Sequence, residues 1–108
     1  ERREARWPPF ARIAVLRAEA TGRDAPLRFL DSARAAAENL RPNGVELLGP
    51  APAPMERRAG HYRAQLLLHA PAHSQLQRLF MRWLPAVENL PEARKVRWSL
   101  DVDPLELF

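Results

Sequence analysis

Hydrophobic and polar positions along this chain repeat in two periods, one of two residues and one close to 3.6. From Arg94 to Asp103 the side chains alternate without a break. Val96, Trp98, Leu100 and Val102 fall on one face, and Lys95, Arg97, Ser99 and Asp101 on the other. That is the pattern of a half-buried strand, and Pro104, which has no N–H to give a ladder, ends it. Two earlier segments read the same way. Phe10 to Ala18 predicts a strand with Ile13 and Val15 toward the core and Arg12, Ala14 and Leu16 away from it. His61 to His69 predicts another, with Tyr62, Ala64, Leu66 and Leu68 inward and Arg63, Gln65 and Leu67 outward. A short strand is expected over Val45 to Leu48.

The helical period takes over between these strands. Leu27, Leu30, Ala33, Ala37 and Leu40 share one helical face, with alanine filling that favours helix and close packing. Pro42-Asn43-Gly44 ends that helix. A second helix is expected from about Ala72 to Leu90, with Leu76, Leu79, Phe80, Trp83, Leu84, Val87 and Leu90 as its apolar stripe and a kink at Pro85. Gly49-Pro50-Ala51-Pro52-Ala53-Pro54 reads as an extended, polyproline-like arm, continued by a loop over Met55 to Gly60. The order β-α-β-β-α-β predicts an α+β, ferredoxin-like domain. Its four-stranded antiparallel sheet would have the first and third strands central and both helices on one face.

The helix-free sheet face is then expected to carry Arg12, Arg63, Gln65, Lys95, Arg97 and Ser99. Composition sharpens this reading. The net charge is +4, and sixteen of the seventeen basic residues are arginine, Lys95 being the exception. Guanidinium groups stay charged and fork onto phosphate or carboxylate, so an anionic partner fits. No aromatic side chain occupies the expected outward positions, so the stacking platform of RNA-recognition sheets is missing and phosphate binding or domain docking fits better. Arg57 and Arg58, beside the proline-rich arm, are the alternative phosphate contacts.

Length and apolar content, 108 residues and 46%, suit one globular domain. No apolar run approaches a membrane span, and no cysteine is available for a disulfide or a thiolate zinc site. His69 and His73 are split by Pro71 and do not share a helical face, so no metal site is expected. Asp101 and Asp103 flank Val102 beside basic residues and read as groups that form ion pairs or dock another domain. The four glycines form no phosphate loop, and no nucleophile–base constellation is present, so no catalytic residues are expected. Residues 1–9, with the helix-breaking Trp7-Pro8-Pro9, read as a linker or the end of a preceding segment, and residues 10–108 as the domain.

Several of these motifs, in order, resemble one family. Arg94-Lys95-Val96-Arg97-Trp98-Ser99-Leu100-Asp101-Val102-Asp103-Pro104, Trp7-Pro8-Pro9-Phe10, Leu48-Gly49-Pro50-Ala51-Pro52-Ala53-Pro54 and Gly60-His61-Tyr62-Arg63-Ala64-Gln65 are similar to stretches of the C-terminal domain of the primosomal protein N-prime (PriA) family of bacterial replication-restart helicases. The resemblance implies a ribosomal-protein-like domain packed against helicase lobes, in the cytoplasm at the nucleoid. It also implies a share in holding single-stranded or forked DNA and in receiving the acidic, Phe-terminated tail of single-stranded DNA-binding protein. The tail positions of the family correspond to His73, where the family has arginine, and to Gln77. Arg78 or Arg82 are candidate substitute cations, and the tail site is expected to be weakened and to tighten as His73 gains a proton. The family's ATP, magnesium and zinc are bound by regions absent from this segment, so no cofactor is expected in it and the ATP-dependent helicase activity belongs to the parent. The alternatives are a purely architectural domain and, more distantly, an independent RNA-binding, ribosomal-like one.

Overall fold

The computed structural model describes residues 12–103, apart from the side chains of Met55, Glu56 and Arg58. The expected linker and the Trp7–Phe10 motif lie outside the described residues, as does Pro104. The elements run β1 (Arg12–Ala20), α1 (Ala25–Asn39), β2 (Glu46–Arg58), β3 (His61–Ala70), α2 (His73–Glu88), a short 3-10 helix (Pro91–Lys95) and β4 (Arg97–Val102). All neighbouring strands are antiparallel, in the order β2-β3-β1-β4, so the first and third strands are central as expected.

One core lies between the sheet and the helices. Phe29, Leu30, Ala33 and Ala37 of α1 and Leu76, Leu79, Phe80, Trp83 and Val87 of α2 pack against Ala14, Leu16 and Ala18 of β1 and Ala64, Leu66, Leu68 and Ala70 of β3. Leu27, Leu40, Leu84 and Leu90 from the two predicted stripes, and Val96, Trp98 and Leu100 from the last strand, are partly buried around it. Small alanines on the central strands let the helices come close, and the large side chains come mainly from the helices. Pro26 is buried in the first turn of α1, where a proline's fixed φ suits the helix and its missing N–H costs nothing.

Three expectations are corrected. The facing of β1 is the reverse of that read from Ile13 and Val15: Ala14, Leu16 and Ala18 meet the helices, and Ile13 and Val15 lie on the opposite face, also buried. The central strand is apolar on both sides over its first half, so its continuous Ile-Ala-Val-Leu run carries no alternation to read. The proline-rich segment is not a free arm. It belongs to β2, which pairs with β3 through Leu48↔Leu67, Ala51↔Gln65, Pro52↔Ala64 and Arg57↔Tyr62, with register shifts absorbing the extra residues. β2 is an edge strand, so proline nitrogens can face away from the ladder at no cost in hydrogen bonds. Arg34 of α1 anchors the first irregularity by donating to the Gly49 carbonyl. Gly49 itself has φ +102 and sits against the backbone of Gln65, a place that suits a residue without a Cβ. Finally, Arg94 and Lys95 belong to the 3-10 helix, and β4 starts only at Arg97.

Candidate nucleic-acid interface

Strand register, more than sequence proximity, assembles the polar half of the open sheet face. Glu19 on β1 stands opposite Arg63 on β3 and opposite Arg97 on β4, so one cross-sheet row reads Arg63–Glu19–Arg97. The next row reads Gln65–Arg17–Ser99 by the same pairing. These six residues, with Ala53 from the bulged part of β2, line a shallow hollow of about 270 Å³. Arg17 pairs with Asp101 at 2.6 Å, and Arg97 approaches Glu19 at 3.8 Å while its side chain remains 85% exposed. At this hollow, three guanidinium groups therefore stand beside two carboxylates. Such a surface can take an anion, and the exposed Arg97 fork is the group best placed to leave its intramolecular partner for it.

Of the residues expected there, Arg63, Gln65, Arg97 and Ser99 come together. Arg12 does not. It shares the facing of Ala14 and pairs with Asp103 at 3.4 Å at the far end of the strand. Asp103 adopts φ +51 just beyond β4, donates its N–H to the Ile13 carbonyl at 2.7 Å, and so takes its carboxylate away from that of Asp101. Both aspartates thus form ion pairs, each with a different arginine. Lys95 lies at the end of the 3-10 helix. With Arg94, His61, Thr21, Glu19 and Arg97 it borders a neighbouring hollow of about 250 Å³. Arg97 borders both hollows, so the basic strip continues from the sheet face around the strand end. Arg57 lies over the Tyr62 ring, 5.4 Å from its centroid, on the facing that Tyr62 shares with Ala64, opposite to Arg63. The Arg58 side chain lies outside the described residues. Sequence reasoning misses Arg17 and Glu19, although two charges at alternate positions of β1 mark the outward face.

On α2, His73 and Gln77 are one helical turn apart, both exposed, and their side-chain nitrogens are 3.0 Å apart. The helix start is held by Gln75, whose side-chain oxygen accepts the Ala72 N–H at 3.0 Å. Arg78 turns to a different hollow, to which neither His73 nor Gln77 contributes. His69 lies at 3.2 Å from Glu46 across β3 and β2, and among the described residues no group of three or more His, Asp or Glu side chains could hold a metal ion. No helix among them is long and apolar enough to cross a membrane.

A similar fold is found in the de novo designed protein Foldit4, with a TM-score of 0.62 and 11% identity over 89% of this chain and 99% of that one. A hydantoinase/carbamoylase family amidase from Burkholderia ambifaria shares it with a TM-score of 0.53 and 13% identity, over 85% of this chain and 27% of the amidase. At these identities the likeness is one of fold alone. Sequence likeness is narrower. The replication restart protein PriA of Haemophilus influenzae is 36% identical over 100 residues, covering 93% of this chain, and that of a Synechocystis species is 31% identical over 103 residues, covering 94%. The chain spans only 13% and 12% of the length of these two relatives. The family model for the primosomal protein N C-terminal domain matches residues 3–105, and with nearly the whole chain matched, the chain belongs to that domain family.

Proposed function

We propose that the chain is a non-catalytic C-terminal module of a PriA-type replication-restart helicase. Its share of the work is to hold the phosphate backbone of single-stranded or branched DNA across the polar half of the open sheet face. The Arg63–Glu19–Arg97 row carries this reading, because two guanidinium groups flank a single carboxylate beside a hollow that also presents Arg17, Gln65 and Ser99. Lys95 and Arg94 extend the track around the strand end. Without an aromatic platform, binding goes to phosphate and sugar and carries no base preference. A second contact of the same module, the tail of single-stranded DNA-binding protein, is assigned to His73 and Gln77 at the start of α2. Their side chains already meet at 3.0 Å and can present one polar surface to a peptide carboxylate. The helicase motor, its ATP and magnesium, the zinc module and a nucleoid location belong to the parent protein in this reading.

Changing Arg63 and Arg97 together to Ala should lower affinity for single-stranded and forked oligonucleotides alike. It should also flatten the salt dependence by about one unit of slope for each phosphate that is no longer neutralised. Equal binding by the double variant, at every salt concentration, would remove the sheet face from the account. The pairing of Arg17 with Asp101 and of Arg97 with Glu19 favours a second reading, in which the face is nearly neutral and buttresses the helicase lobes without touching DNA. In that case the double variant would alter DNA binding only in the parent protein.

A further inference from the structure

Among the described residues, a cluster of cations without a carboxylate partner lies in the helix layer, away from the open sheet face. Arg78 and Arg82 of α2 and Arg41 of the loop after α1 border a hollow of about 270 Å³, walled on its apolar side by Leu40, Pro42 and Leu79. Among the described residues, no Asp or Glu lines it. All three arginines are exposed, and among the described residues their side chains make no hydrogen bond or ion pair. The arginines of the sheet face differ, since Arg17 and Arg97 each have a carboxylate within 4 Å. The backbone adds a second observation. Arg41 ends α1 in the left-handed region at φ +51, its N–H bonded to the Glu38 carbonyl at 3.0 Å. Glycine or asparagine is the usual residue at such a helix end, and a long side chain there costs backbone energy. The costlier residue is the one that puts a third guanidinium on this hollow.

We propose that this hollow is a second phosphodiester-binding site, so that the domain holds two nucleic-acid strands at once, one against each layer. The proposal rests on the nucleic-acid reading of the sheet face for the first strand and on Arg41, Arg78 and Arg82 for the second. Arg78 and Arg82 stand one helical turn apart on one side of the hollow, with Arg41 contributed by the neighbouring loop. A strand whose phosphates recur at a fixed stride can engage the forks in succession, and Leu40 and Leu79 offer an apolar surface to the intervening sugar. The layers face in opposite directions, which suits two arms of a branched substrate.

The test is a bridging measurement with two short single-stranded oligonucleotides, one carrying a donor dye and one an acceptor. The wild-type chain, monomeric by sedimentation, should give energy transfer and bind two oligonucleotides per chain. R41A/R78A/R82A should bind one and give no transfer, its remaining site keeping its full affinity. R63A/R97A should also abolish transfer while the helix-layer site stays occupied. One-to-one binding that is untouched by R41A/R78A/R82A, or transfer that survives that triple change, would overturn the proposal. So would a poly-glutamate peptide that displaces the second oligonucleotide at lower concentration than unlabelled oligonucleotide does, since the hollow would then be an acidic-peptide site. Failure of the sheet-face reading has its own signature: one-to-one binding abolished by R41A/R78A/R82A and untouched by R63A/R97A.

Discussion

The indole N–H of Trp83 on α2 donates to the backbone carbonyl of Ala33 on α1 at 2.8 Å, inside the core. Trp83 is fully buried, and this bond satisfies its one polar atom while tying the two helices together. Phe80 stacks alongside it, ring centroids 6.2 Å apart. The Ala33 carbonyl can accept both this bond and its helical one because it has two lone pairs.

Trp83 should therefore be the most sensitive single position of the domain. Trp83→Ala is expected to cost about 3–5 kcal/mol, enough to unfold a domain of ordinary stability. Trp83→Phe keeps most of the apolar volume and should cost about 1–3 kcal/mol, through the missing hydrogen bond and a smaller cavity. Urea unfolding of both variants measures this as a shift of midpoint at constant slope.

Trp98 should matter less, although its place in the alternating C-terminal strand makes it look central. It is partly buried, with its ring 5.9 Å from that of Phe29. Trp98→Ala should cost about 2 kcal/mol, from partial burial and one aromatic neighbour. A destabilisation in the same urea experiment as large as that of Trp83→Ala would show that the partly buried ring has been undervalued.

Gly44 joins the α1–β2 loop to the start of α2. It has φ +80, and a Cβ there would run into the side-chain amide of Gln75, the group that accepts the Ala72 N–H. Gly44→Ala should destabilise by about 1–3 kcal/mol, combining left-handed backbone strain with a displaced cap. Gly22→Ala is the control, since its nearest obstacle is the Ala25 Cβ at 3.9 Å, and its melting temperature should barely move.

If the start of α2 takes the tail of single-stranded DNA-binding protein, His73→Arg should supply there a permanently charged fork for its carboxylate. The tail peptide should then bind about five- to tenfold more tightly, the difference between a neutral and a charge-assisted hydrogen bond. Gln77→Ala should weaken it in both backgrounds. Calorimetry with the tail peptide reads this directly, and a His73→Arg variant no tighter than wild type would leave the helix start as an ordinary solvated turn.

Chain pattern alone determined the element order, both helix stripes, the central placement of β1 and β3, and the facing of β3 and β4. Those elements are amphipathic, so their period is written into the side chains. It also carried the family resemblance through local motifs such as Gly60-His61-Tyr62-Arg63-Ala64-Gln65. Tertiary structure decided what amphipathicity cannot express. β1 is apolar on both faces through Leu16, so only its partners reveal that Leu16 meets the helices, and Arg12 moves off the basic face with it. The proline-rich segment becomes strand because it pairs with β3 from an edge, where tertiary pairing overrides the poor strand propensity of proline. Arg17, Glu19, Arg63 and Arg97 become neighbours only through the pairing of three strands distant in sequence. Arg41, Arg78 and Arg82 likewise meet only because the two helices dock on one sheet face, which places the loop after α1 beside α2.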